Sequence, residues 1–199
     1  MKNRFDQTSR SKKSTTDQDK PMTTKSRKRN LTLFNTLLST LNEKPKDFAD
    51  AHELLNAAVL GIGYGLGLKR CTVALVNTKI TRLKAYYSAG TMQHRELAGF
   101  QINLTESSLF RGLLDAPASV WLKPTTKQQI WAMIPDEFKR ISGVKEFFLM
   151  SVFVAKKPVA VVYCDPGLDS ISPLTDWEYN QFKAMCIAVS RGLLFHSSQ

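Results

Sequence analysis

The chain has 199 residues, 43% of them hydrophobic, with a formal net charge of +11. That length supports one domain burying roughly 70% of its unfolded-chain surface. No apolar run approaches the ~18 residues of a membrane-spanning helix, and the first residues lack the apolar stretch of a secretory leader, so a cytoplasmic protein without membrane contact is expected.

The charge is unevenly placed. Residues 1–30 hold ten Lys/Arg against three Asp, a net of +7, and their only apolar side chains are Met1, Phe5 and Met22. Such a stretch cannot offset its ordering entropy by burial, so residues 1–30 read as a basic disordered tail. Its densest run, KSRKR at 25–29, has the charge for salt-sensitive phosphate contact, but a solvated linker explains it as well. No aromatic residue is interleaved over 24–30 to stack on a base. Nucleic acid is thus a partner only through this tail. Cys71, Cys164 and Cys186 are too few, and odd in number, for a disulfide framework, which fits a reducing compartment.

Leu31, Phe34, Leu38 and Leu41, widened by Leu37, predict an amphipathic connecting helix over 31–44, and a folded domain over 45–197 follows. Asp47 is the candidate N-cap of the next helix, with Asp50 in its first turn. Gly61 and Gly65 share one face of that helix and admit a second backbone, and Gly67 fits its C′ position. Residues 71–76 read as a strand rich in β-branched residues, and residues 80–87 as its hairpin partner. Then come a short helix at 91–98, a short strand at 100–104, a helix at 106–114 capped by Thr105, an extended piece at 119–122, and weak helical turns over 124–143.

Residues 146–155 carry the strongest signal. Phe148, Met150, Val152 and Val154 point one way, and Phe147, Leu149 and Phe153 the other. Alternation would leave one wet face; its absence predicts a sheet covered on both sides. A basic turn at 156–158 leads to a partner strand at 159–165, and a long amphipathic helix at 174–195 ends the domain. The fold class is α+β: a central antiparallel sheet with helices on both faces, the N- and C-terminal helices packed together on one face.

Several stretches, in this order, carry a resemblance: LGLKRCTVALV at 66–76, FQINLTESSLFRGLL at 100–114 and PVAVVYCD at 158–165. Together they resemble a GAF domain over about three quarters of the chain. LTLFNTLL at 31–38, GLGLKR at 65–70 and SVWL at 119–122 are similar, more narrowly, to the GAF-like region that follows HDOD domains in some bacterial signalling regulators, although no HDOD domain is visible here. The resemblance implies a non-catalytic regulatory module that binds a small ligand or pairs with itself. The asparagine–lysine and aspartate–glutamate pattern of cyclic-nucleotide-binding GAF domains is not evident, and no bilin-attachment context is present.

Sites follow from the same reading. Ser107, Ser108 and Arg111, at the start of the 106–114 helix, are candidate anion donors, although capping alone also explains that sequence. Trp121 and Tyr163 are candidate pocket walls, and Asp165 a candidate pocket acid, against the simpler readings of core aromatics and a turn residue. GIGYGLG at 61–67 is not GxGxxG and sits between helix and strand in the wrong order for a dinucleotide turn. His52, His94 and His196 are isolated, so no metal and no cofactor is expected. The cysteines leave one enzymatic alternative, a GAF-type methionine sulfoxide reductase, but each lies in an apolar segment unsuited to a reactive thiol. Leu31, Phe34, Leu38 and Leu41, with Met185, Val189 and Phe195 of the last helix, are read as a dimer or partner surface.

Overall fold

A computed structural model describes residues 27–170 and 172–198. Residues 1–26 of the expected tail lie outside the described residues. Six strands form one antiparallel sheet in the order β3-β2-β1-β6-β5-β4, with β1 Arg70–Val76, β2 Arg82–Ala89, β3 Gln101–Asn103, β4 Ser119–Leu122, β5 Phe147–Val154 and β6 Lys157–Asp165. One face carries α1 (Leu31–Glu43), α2 (Ala51–Leu60) and α7 (Asp176–Ser197). The other is covered by the excursion between β2 and β5, with α3 (Arg95–Ala98), α4 (Leu109–Leu113), α5 (Gln128–Ala132) and α6 (Asp136–Ser142).

β5 explains this two-sided covering. Phe148 and Val152 enter the core under α1, α2 and α7, and Phe147 and Leu149 enter the core under the excursion. A strand buried on both faces needs no polar alternation. The hairpin β1–β2 has a bulge: Val73 pairs Tyr87 while Ala74 pairs Ala85, leaving Tyr86 unmatched. The extra residue reverses the side-chain parity of β2. Leu83 and Ala85 therefore face the excursion, and Tyr87 and Ala89 face the helices.

Two helix starts differ from expectation. Asp50, not Asp47, caps α2, its carboxylate accepting from the Glu53 amide at 2.8 Å, while Asp47 belongs to a 3₁₀ turn at Pro45–Asp47. Ser108, not Thr105, caps α4, because Asn103 holds the amide and hydroxyl of Thr105 in a local turn. After Leu60 the helix widens into a π turn, Gly61–Gly65. Gly65 earns its place by close approach: a Cβ there would lie 2.8 Å from Phe34 Cβ and 3.1 Å from Phe34 Cα. Gly67, at φ +71°, then turns the chain toward β1.

The expected tail does not run to residue 30. Asn30 caps α1 by accepting from the Leu33 amide at 3.0 Å. Arg27 donates from Nε and Nη2 to the Glu178 carboxylate at 2.6–3.0 Å, and from Nη1 to the Ser172 carbonyl at 2.6 Å. Arg29 adds a bond to the same carboxylate at 2.8 Å. Glu178 is fully buried and also completes a capping box with Thr175 at the start of α7. Burial pushes its carboxyl up, but the bonds from Arg27, Arg29 and Thr175 outweigh this and hold it below the ordinary 4.5. A depressed folded pKa contributes stability that is complete above the unfolded pKa and lost as pH falls through the folded one. Glu178→Gln is therefore expected to cost about 2 kcal/mol at pH 7. In urea titrations the gap to the parent protein narrows below pH 4.5. A gap constant down to pH 3 would contradict this.

Candidate functional site

The residues expected to line one pocket are not brought together. Tyr163 and Asp165 project from β6 beneath the excursion, beside Arg70 at the start of β1. Arg70 is 1% exposed and Asp165 0%. Arg70 Nε donates to both Asp165 oxygens at 2.9 and 3.0 Å, and Nη2 donates to the Ser142 carbonyl at 2.6 Å. The Gly167 amide, at 2.6 Å, and the Tyr163 hydroxyl also donate to Asp165. Burial pushes the Asp165 carboxyl above the ordinary carboxylate value, against the pull of Arg70, Tyr163 and Gly167. Among the described residues, Arg70 Nη1 and the Thr72 hydroxyl beside it have no partner. This cluster is a buried structural clamp joining β1, β6 and α6, not the open wall of a pocket.

The others scatter. Ser108 is engaged by its cap, its hydroxyl accepting from the Arg111 amide at 3.2 Å. Ser107 lines a shallow hollow of about 310 Å³ beside Glu106, Asp136 and Glu137, a setting that repels anions. Arg111 pairs with Asp115 at 3.3 Å. Trp121 lies on the opposite face of the sheet from Tyr163, packed on Phe148 and Tyr179, with its indole N–H on Glu146 at 3.3 Å. Beneath the excursion, Phe138 meets Phe100, Phe110, Phe147 and Tyr163 with ring centroids 4.8–6.1 Å apart.

A roomier and more apolar cavity lies on the helical face, at the end of the sheet where α2 begins and α7 ends. Its volume is about 790 Å³. The floor is Leu75 and Val159 of the central strands, and the walls are Leu55 and Leu193. Its polar groups converge from three elements. The Tyr87 hydroxyl pairs with His52 Nδ1, and His196 bonds the Pro45 carbonyl at 3.1 Å. Burial, with Asp50 and Tyr86 nearby, raises the Tyr87 phenol above its ordinary value. An apolar chamber with a few oriented polar groups is what a small-molecule site requires. Sequence reading missed it because His52 and Tyr87 are 35 positions apart and meet only after the β2 bulge turns Tyr87 inward.

No family model matches the chain, and no curated protein does. Solved structures do. Residues 122 to 287 of a methyl-accepting chemotaxis protein superpose with a TM-score of 0.65 at 16% identity, covering 79% of this chain and 97% of that one. The GAF domain of an Acinetobacter phosphoenolpyruvate-protein phosphotransferase gives 0.58 at 18% identity, over 84% and 93%. The phycocyanobilin-bound GAF domain of a cyanobacterial phytochrome gives 0.64 at 8% identity, over 83% and 96%. The fold is that of a GAF domain.

In this GAF fold, most of the expected partner surface is interior. Phe34, Leu41 and Met185 are 0% exposed and Val189 1%, because α1 and α7 pack on each other and on α2. Leu38 and Phe195 are half-buried, and Leu31 is 43% exposed. The outward stripe of α7 instead carries Trp177, Ile187 and Leu194, with half-buried Ala184 among them, at spacings of seven, three and seven residues. The thiols are sealed as well. Cys71 and Cys164 are register partners across β1 and β6, and with Cys186 they are fully buried. Burial raises all three above the ordinary thiol value. Among the described residues, no group of three or more His, Cys, Asp or Glu is placed to hold a metal, and no helix is long and apolar enough to cross a membrane.

Proposed function

We propose that this GAF-fold chain is a non-catalytic sensory module of bacterial signal transduction, akin to the GAF-like regions that follow HDOD domains. It acts in the cytoplasm by taking a small, mostly apolar ligand into the chamber between α2 and α7. The observation that carries this reading is the chamber's wall. Leu193, His196 and Ser197 are the last turns of α7, and Ala51, His52 and Leu55 the first turns of α2. A ligand that binds one arrangement of those turns better than another shifts the position of both helices. The test is thermal melting of the full chain against a panel of small metabolites, with Val159→Trp and Leu193→Trp as chamber-filling variants. A ligand at about 100 times its dissociation constant stabilises by about 2.7 kcal/mol, or several degrees. That shift is expected to vanish in variants that still melt normally. A shift that survives both substitutions overturns the chamber as the site.

A second reading rests on the outer faces of α1 and α7. Leu31, Ile187 and Leu194, each 43–44% exposed, and Trp177, 41% exposed, suit a second copy of the chain. Sedimentation at high micromolar concentration is expected to show a dimer that Ile187→Glu with Leu194→Glu dissociates. A strict monomer in the parent protein removes this reading.

A further inference from the structure

Two shallow hollows meet around Tyr64 on the π turn, with volumes of about 470 and 420 Å³. They share Tyr64, Ala89 and Gly90, so they form one groove. Its lining holds five cations, Arg27, Lys28, Arg29, Lys69 and Arg95, and no carboxylate. Arg27 and Arg29 are engaged with Glu178. Lys28, Lys69 and Arg95 are exposed, and among the described residues they have no ion pair. Residues 31–199 carry only +4 of the chain's +11, so this acid-free groove is not the average surface. The Tyr64 ring stands among these cations, 58% exposed. Gly63, Gly67 and Gly90 line the groove beside it, and the last two hold the backbones of Lys28 and Lys69 close, since a Cβ at Gly67 or Gly90 would lie 2.5 or 1.6 Å from their carbonyl oxygens.

We propose that this groove binds single-stranded nucleic acid, with one base stacked on Tyr64 and backbone phosphates on Lys28, Lys69 and Arg95. Unpaired cations without competing carboxylates suit phosphate, and an exposed ring suits the face of a base. A duplex offers no free base face. The chain upstream favours a string of phosphates over a single anion. Residues 1–26 hold seven Lys/Arg and three Asp, and they join the fold at Arg27, on the groove's edge. The stacking residue absent from the basic run itself is supplied by the fold. This site shares no residue with the α2/α7 chamber, so the two proposals fail separately.

The experiment is fluorescence anisotropy of a labelled ten-residue oligothymidylate with the full chain, from 50 to 200 mM salt. Tyr64→Ala is expected to weaken binding about tenfold, the usual scale for one lost stack, and Tyr64→Phe to retain it. Lys69→Ala with Arg95→Ala is expected to reduce the slope of log affinity against log salt by about 1.4, or 0.7 per phosphate contact. All three side chains changed are exposed, so unchanged melting temperatures exclude misfolding as the cause. Wild-type affinity and slope in these variants would assign any binding to residues 1–26 and overturn the groove. So would equal affinity for duplex of the same length, or no binding at 50 mM salt. Phosphatidylserine vesicles that bind with the same sensitivity to Tyr64→Ala would make the surface lipid-facing instead.

Discussion

Asp165→Ala is expected to lower the free energy of unfolding by about 3–5 kcal/mol, the usual cost of stranding one member of a buried ion pair. Arg70, 1% exposed, would keep its charge with only the Ser142 carbonyl, at 2.6 Å, to answer it. The Gly167 amide and Tyr163 hydroxyl would lose their acceptor as well. Urea unfolding measures this as a lower midpoint with an unchanged slope. Replacing both charges, Arg70→Met with Asp165→Leu, is expected to recover the part of the loss that comes from the stranded guanidinium, while the Gly167 amide and Tyr163 hydroxyl stay without their acceptor. A single Asp165→Ala variant within 0.5 kcal/mol of the parent would mean that water reaches the pair, and the clamp would have to be reconsidered as an open site.

Phe138→Ala is expected to cost about 3–5 kcal/mol, or about 10 °C in melting temperature for a domain of this size. Its ring is fully buried and stands edge-on to Phe100, Phe110 and Tyr163 at 74–87°. Four aromatic neighbours on a strand-backed face cannot collapse into the space, so the void persists. An apolar void of that kind stays dry and accepts small aromatic molecules. Benzene is expected to raise the melting temperature of Phe138→Ala and leave the parent unchanged. No rescue would show that the excursion settles into the gap, and that its helices are looser than their packing implies.

Sequence periodicity carried far for features that depend on near neighbours. The double-faced apolar pattern of residues 147–153 predicted the covered sheet, and Gly61 and Gly65 predicted the close approach of a second backbone, which at Gly65 is that of α1. Both are properties of a few consecutive residues. It failed where side-chain direction depends on strand parity over long distance. Trp121 and Tyr163 are both strand aromatics, and only the pairing of Trp121 with Phe148 and of Leu149 with Tyr163 places them on opposite faces. The apolar stripe of α1 was read correctly, as was its packing with the C-terminal helix; what failed was assigning Phe34 and Leu41 to a partner surface as well, since both are buried within the chain. The basic run at 25–29 looked like solvated charge because its acid, Glu178, lies 149–151 positions away. The chamber was illegible for the same reason, since single histidines carry no spacing signal.

The strand order sets a timetable for synthesis. β1 is central, flanked by β2 and by β6, and its Arg70 waits for Asp165, 95 residues later. At about 5–20 residues per second, a ribosome takes roughly 5–20 s to deliver that partner. Throughout this interval the β1–β2 hairpin has one long edge unpaired, and its apolar face lacks α7. Bare edges of this kind template pairing between chains, so the nascent chain is most vulnerable between the emergence of β2 and that of β6. β6 and α7, which follow the other described elements in the chain, are the ones that close the sheet and bury Glu178, and the first described residue, Arg27, cannot reach its place until they arrive.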